Sequence, residues 1–475
     1  MGKATFHINH ICSKIFKMIY RQFFLFSFLF NCFLLSCAQE KMVNINTFNV
    51  KGDDQNDDTG GFDKAIEYIS KNGGILYIPK GNYYLDNKKR MRKGVYENSY
   101  IFIINQSFKI RLDKEAVLHY TNDFKGFRFR STQDPTDKTI NKFNVEIDGG
   151  IVDAAENYKT KVKNNPDIWA FVAETLSGFK VTNMTIRNIY GTSGIGAYSN
   201  TFTEISNNTF ENVTGNPYDY VDNHGNGIYL NGVNSYLIEN NKVINNVLKT
   251  QRLGTVGICI EGSRSGNGTI FNNTVTGYDR AIHVELIDGT ATIYKNYLIG
   301  NSSGVVLWNN NGNKQIVDSN IITNRGLGKQ SKSILYTSAG ILMLGFETNT
   351  GTIIKNNEIT VEKDYFIPNN LLQITSSDVN VANNIFSDLS KSLSLSVAQG
   401  RGTNQRVKRI IFTSNRVSGK RLDVYDASDI DISNNNLDLS EIVLSFDNST
   451  NIYRKNTFSK ESLNKNVKIF GRYIK

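Results

Sequence analysis

An all-β solenoid is the fold that the 475-residue sequence predicts, and three observations carry it. First, an apolar residue followed three positions later by Asn recurs ten times, from Ile205-Ser-Asn-Asn208, Ile238-Glu-Asn-Asn241 and Ile270-Phe-Asn-Asn273 to Tyr453-Arg-Lys-Asn456. Second, consecutive copies start 20 to 37 residues apart, the spacing of stacked supersecondary units. Third, the intervening segments are short, β-branched runs punctuated by Asn and Gly, with only 5 Pro in the whole chain. Asn tolerates the left-handed conformation of a tight corner, and stacked Asn side chains can ladder along an axis. A leucine-rich repeat would need a Leu-x-x-Leu-x-Leu frame, which is missing, and a propeller would need four strands per repeat. What remains is a single-stranded, right-handed parallel β-helix with a short N-terminal capping helix.

The elements follow in chain order. Residues 1–36 read as a leader, with Lys3, Lys14, Lys17 and Arg21 before the apolar run Phe23–Leu35. That run is too short to span a bilayer and long enough for a signal peptide. It ends in Leu34-Leu35-Ser36-Cys37, which resembles the bacterial lipobox; the resemblance implies lipidation of Cys37 and export to the outer membrane, with the membrane touched only through the lipid. Loss of the leader removes four basic residues and no acidic ones, so the net charge falls from +10 to +6. A mild basic excess favours an acidic glycan, and no nucleic-acid motif accompanies it. Cys12 and Cys32 lie in the leader, which leaves Cys259 alone and permits no disulfide framework in a mature monomer.

Residues 37–60 are expected to form a tether and the start of the cap, residues 61–456 the solenoid, and residues 457–475 a C-terminal cap. Asp57-Asp58-Thr59 precedes Phe62, Ala65, Ile66 and Ile69, an amphipathic pattern predicting a capping helix over 61–72 with acidic capping at its start. Ile75–Pro79 then reads as the first strand and Lys80-Gly81 as a turn. Phe48-Asn-Val-Lys-Gly52, Asp57-Asp-Thr59, Gly73-Gly-Ile-Leu-Tyr-Ile-Pro79, Gly81-Asn-Tyr-Tyr-Leu85 and Val145–Asp153 together resemble the opening of pectate-lyase-like and polygalacturonase-like β-helix proteins. The resemblance implies a helix closing the solenoid end and a fold rich in carbohydrate enzymes. It names no substrate, so iota-carrageenase-like, pectinase-like and alginate-type roles all stay open.

Register places the candidate site. Gly194–Tyr198, Gly227–Asn231, Gly257–Glu261, Ala281–Glu285, Gly304–Trp308 and Gly340–Leu344 align on a small residue followed by alternating apolar positions. A period of two sends Ile228, Leu230, Ile258, Ile260, Ile282 and Val284 inward. One outward column is then Tyr198, Asn231, Glu261, Glu285 and Trp308; its neighbour is Gly196, Tyr229, Cys259, His283 and Val306. Rungs lie ~4.8 Å apart, so Glu261 and Glu285 are expected side by side with His283 next to them. Two carboxylates about 5 Å apart repel by roughly 3 kcal/mol at an effective dielectric near 20, which favours a pair sharing one proton. One protonated and one ionised carboxylate is the equipment of a glycoside hydrolase. The expected catalytic set is therefore Glu261, Glu285, His283 and Asp222. Tyr198, Tyr229, Asn231, His224, Arg264, Arg280 and Trp308 are expected to bind substrate. Asp222 and His224 sit in the loop Pro217–Gly225, where Asp219 is read as a turn former; Asn223-His224-Gly225 is similar to the glycine-flanked histidine of polygalacturonases.

Two other functions compete. A polysaccharide lyase would use Arg280, Arg264, His283 or Tyr229 against a uronate, with Ca²⁺ held by Glu261, Glu285 or Asp222; the hydrolase needs no cofactor. A non-catalytic glycan-binding lipoprotein would need the aromatic column alone.

Overall fold

Short strands, most of them three to eight residues long and many ending at a single left-handed corner, cannot bury an apolar face alone, so they stack. The computed structural model of the chain describes residues 40–86, 102–121, 126–130, 141–155, 169–214, 225–246, 255–311, 314–324, 338–345, 348–361, 370–388, 390, 394–399, 407–446, 450–459 and 467–470. The expected leader, the expected lipidation site at Cys37, and Asp219, Asp222 and His224 lie outside these residues. From the strand Ile75–Ile78 to the strand Ile385–Asp388 each described strand pairs in parallel with the one three strands later, which winds the chain into coils with three sheets; nearer the C-terminus the long strands Arg416–Ser433 and Asn436–Phe446 each run through more than one sheet. Strand, crossover and parallel strand turn right-handed here, as such connections do. The right-handed parallel β-helix expected from the repeats is the fold.

One sheet carries the aligned segments. Its successive rungs include β1 (Phe127–Arg130), β2 (Trp169–Glu174), β3 (Ser193–Tyr198), β4 (Asn226–Asn231), β5 (Val256–Glu261), β6 (Arg280–Glu285), β7 (Ser303–Trp308) and β8 (Ala339–Leu344). The register runs Tyr198–Asn231–Glu261–Glu285–Trp308 in one column and Gly196–Tyr229–Cys259–His283–Val306 in the next. All six residues assigned inward are fully buried in a core that runs the length of the coils. Each contributes roughly 1.5–3 kcal/mol by burial.

The Asn of each repeat forms the ladder. Asn241 Nδ2 donates to Asn273 Oδ1 at 3.0 Å, Asn273 Nδ2 to Asn296 Oδ1 at 3.0 Å, and Asn296 Nδ2 to Asn320 Oδ1 at 2.9 Å. The chain of amides runs from Asn208 to Asn456. The corner and the ladder, expected of Asn together, fall on different residues. The left-handed position is the one before the ladder Asn: Asn207, Asn240 and Asn272 in some coils, but Lys295, Ser319, Ser414 and Lys455 in others. A left-handed Lys or Ser costs about 1–2 kcal/mol, which the amide bonds of the following Asn offset.

The N-terminal cap differs from its expected form in two ways. The helix α1 spans Thr59–Asn72, starting two residues earlier than predicted. Asp58 stands at its N-cap but makes no side-chain cap bond. Its two oxygens accept instead from the backbone N–H of Lys51 (3.4 Å) and Tyr84 (3.0 Å), because the strand Gly81–Leu85 passes beside it. Asp57 does the capping, with Oδ1 accepting from Thr59 N at 3.0 Å. At the other end, strands Thr457–Phe458 and Val467–Phe470 add to the ladder, so pairing continues past residue 456 into the expected cap.

Candidate active site

A small residue near the start of each rung lets backbones approach closely: a Cβ on Gly257 would lie 2.7 Å from Ala281 O. Ala281 and Ile282 both face the core, so the period-two alternation resets at the small residue. Arg280 therefore lies on the outer face together with His283 and Glu285, although simple alternation would place it inside. The same reset brings Trp169, Asn226 and Val256 to that face, and with Thr192, Tyr198, Tyr229, Cys259, Glu261, Arg280, His283 and Glu285 they line a cavity of ≈ 280 Å³.

Glu261 and Glu285 are Cα register partners on β5 and β6. Each has its own hydrogen-bond donor. Tyr229 Oη donates to Glu261 Oε2 at 2.8 Å, and Asn231 Nδ2 donates to Tyr229 Oη at 2.9 Å, which leaves the phenol proton for the carboxylate. Burial pushes the Tyr229 phenol far above its ordinary range, so it keeps its proton. His283 Nε2 lies 2.8 Å from Glu285 Oε2, and Arg280 Nη1 lies 3.1 Å from His283 Nδ1. His283 points outward from the sheet yet is only 1% exposed, with Trp308 edge-on at 6.2 Å between ring centroids. It is thus no surface histidine. Cys259 is also buried, and burial raises its thiol well above the usual range, with the Glu261 carboxylate acting in the same direction. It remains a thiol and no nucleophile.

Three aromatic rings form one wall. Trp169 packs against Tyr198 (6.0 Å) and Tyr229 (6.3 Å), and those two lie 5.6 Å apart. Trp169 was not foreseen. Its signal was available, because Trp169–Glu174 is one more copy of the small-then-alternating frame, with Ala170 at the small position.

Of the residues expected from sequence, Tyr198, Tyr229, Glu261, Arg280, His283 and Glu285 converge on the cavity. Asn231 acts through Tyr229, and Trp308 packs on His283. Arg264 does not join them. The turn after Glu261 is held by Ser265 Oγ, which donates to Glu261 O and accepts from Gly232 N, and it leaves Arg264 exposed away from the cavity lining. Among the described residues no group of three His, Cys, Asp or Glu side chains could hold a metal ion. Glu174 continues the acidic column two rungs before Asn231, but Arg128 grips it at 2.7 Å and Arg130 at 3.4 Å.

No family model matches the chain. An iota-carrageenase of Zobellia galactanivorans is 28% identical over 146 residues, which is 30% of this chain and 26% of that enzyme. The match thus spans about a quarter of that relative's length. Among solved structures, a mutant tailspike protein of E. coli bacteriophage HK620 superposes with a TM-score of 0.61 at 15% identity, over 90% of this chain and 78% of that one. The same tailspike in complex with a pentasaccharide gives a TM-score of 0.62 at 14% identity over the same shares. By fold, the chain is a right-handed parallel β-helix protein like the tailspike.

Proposed function

We propose that this chain is a polysaccharide-cleaving enzyme and, within that class, a glycoside hydrolase whose reacting groups are Glu261 and Glu285. One observation carries the reading: two carboxylates in register on adjacent rungs, each with a dedicated donor, on the wall of a cavity that also holds three aromatic rings. A rung spacing of ~4.8 Å matches the ~5–5.5 Å between carboxyls of retaining enzymes. In that chemistry one carboxylate attacks the anomeric carbon while the other protonates the departing glycosidic oxygen as its bond to that carbon breaks. Water, giving its proton to the second carboxylate, then displaces the first and completes hydrolysis. Tyr198 and Tyr229 supply ring faces for sugars, with the buried Trp169 packed against them.

The short likeness to an iota-carrageenase supports a glycan-cleaving role, and the basic excess supports an anionic substrate. Leader and lipobox support a lipid-anchored enzyme on the outer membrane. A lyase is less well served, because the Tyr229 phenol is held protonated and the Arg280 guanidinium is bonded to His283.

The test is incubation with a panel of plant and algal polysaccharides, carrageenans first. New reducing ends without ultraviolet absorbance are expected. Glu261→Gln and Glu285→Gln should each lower the rate by about 10³-fold or more with an unchanged melting temperature. Unsaturated, absorbing ends, or full activity in both variants, would sink the hydrolase reading.

A further inference from the structure

The two carboxylates stand in unlike surroundings, and the difference distributes their roles. A guanidinium has five N–H donors and no acceptor, and it does not deprotonate in proteins. Arg280 Nη1 at 3.1 Å from His283 Nδ1 must therefore donate, so Nδ1 offers its lone pair. The imidazole proton is then on Nε2, directed at Glu285 Oε2 2.8 Å away. That oxygen is an acceptor, and a donated N–H favours the ionised carboxylate. Glu261 is differently placed. Its partner is a hydroxyl, which can donate to a carboxylate or accept from a carboxylic acid. The Tyr229 bond thus tolerates a proton on Glu261, whereas the His283 bond opposes one on Glu285.

We infer that Arg280 is a positioning residue that locks His283 as an Nε2–H donor, keeps Glu285 ionised as the nucleophile, and leaves Glu261 as the proton carrier. The assignment rests on the hydrolase reading; the lock on His283 does not. Arg280 and His283 touch each other and Glu285, and neither needs to touch the sugar. The groups facing the imidazole are Arg280 and Glu285 on its own strand, Cys259 and Glu261 on the rung before, and Val306 and Trp308 on the rung after.

Two experiments test the inference. The chain has 5 His, so ¹⁵N-histidine NMR can follow His283, identified by its loss in His283→Gln. In the intact protein its ring should show the Nε2–H tautomer and no titration between about pH 5 and 8, where an ordinary histidine changes charge. Arg280→Met should let it titrate, whereas Arg280→Lys, which restores a donor, should not. A titrating or Nδ1–H His283 in the unmodified protein overturns the lock, whatever the enzyme cleaves. The second experiment uses the polysaccharide that the panel shows to be cleaved. Azide should restore turnover to Glu285→Ala with formation of a glycosyl azide, and Arg280→Met should lose about 10²-fold in kcat with KM little changed. Rescue of Glu261→Ala instead, or of neither, overturns the division of roles even where cleavage itself is established.

Discussion

At the scale of single residues, Gly196 shows how the aromatic wall is made. It faces outward between Val172 and Tyr229, and a Cβ there would lie 2.3 Å from Trp169 Cζ3. The missing side chain is the space the indole occupies. Gly196→Ala must displace either the ring or the strand, at about 1–3 kcal/mol for overpacking. The expected outcome is weaker retention in gels containing the cleaved polysaccharide, measured in the inactive Glu285→Gln background, with the fold retained by circular dichroism. Unchanged retention would mean that Trp169 takes no part in binding. The site was legible where alternation holds: Glu261, Glu285, His283 and Tyr229 follow from counting by two from the small residue. It was illegible where the count resets. Arg280 was expected to bind substrate but was placed just before the strand and outside the two columns, and Trp169, Asn226 and Val256 were not named, because each precedes the small residue at which two consecutive side chains turn inward. Arg264 lies off the cavity lining for the opposite reason: nearness in sequence to Glu261 says nothing of direction once the turn held by Ser265 intervenes.

Among the elements, the Asn ladder made the fold legible and also holds the coils in register. Asn273 shows the density of its bonding. Its Oδ1 accepts from the backbone N–H and side-chain Nδ2 of Asn241, while its Nδ2 donates to Ile238 O, Phe271 O and Asn296 Oδ1. Except at the half-buried Phe271 these groups are buried, so truncation strands several polar groups at once. Asn273→Ala should cost about 3 kcal/mol or more, since each stranded group costs about 1–3 kcal/mol. Asn456, at the partly exposed end of the ladder, can trade its bonds for water, and Asn456→Ala should cost less than half as much. Urea midpoints of the two variants decide the point, and equal losses would show that the ladder is no cooperative element. The repeat betrayed the ladder because the amide is required in every coil. It did not reveal which residue takes the left-handed corner, since Asn, Lys and Ser all serve there.

For the whole molecule, a solenoid is held by neighbour-to-neighbour contacts, so its ends are where opening begins. The N-terminal end is closed by α1 and joined to the strand Gly81–Leu85 through Asp58. Burial of that carboxyl outweighs its two N–H donors and pushes its pKa up to about 6 from the ordinary 3.8. The folded chain therefore binds this proton more tightly than the unfolded chain does. The stabilisation it brings is complete below about pH 4 and is lost as pH rises through about 6, by an amount on the order of 2 kcal/mol. Asp423, also raised by burial, has the same sign. Asp318 and Asp378, held low by their hydrogen bonds and cationic neighbours, have the opposite sign, and their stabilisation is lost only below their ordinary range. Between about pH 4 and 6 the slope of stability should thus carry the mark of Asp58. Asp58→Asn keeps one acceptor for Lys51 or Tyr84 but carries no titrating proton, so its absolute stability is uninformative and its slope is the measurement. Urea midpoints across that window should fall with rising pH in the unmodified chain and be flatter in Asp58→Asn. Parallel slopes would mean that the carboxyl stays ionised throughout, with its two backbone donors outweighing its burial, and that the closed end of the solenoid is indifferent to mild acid.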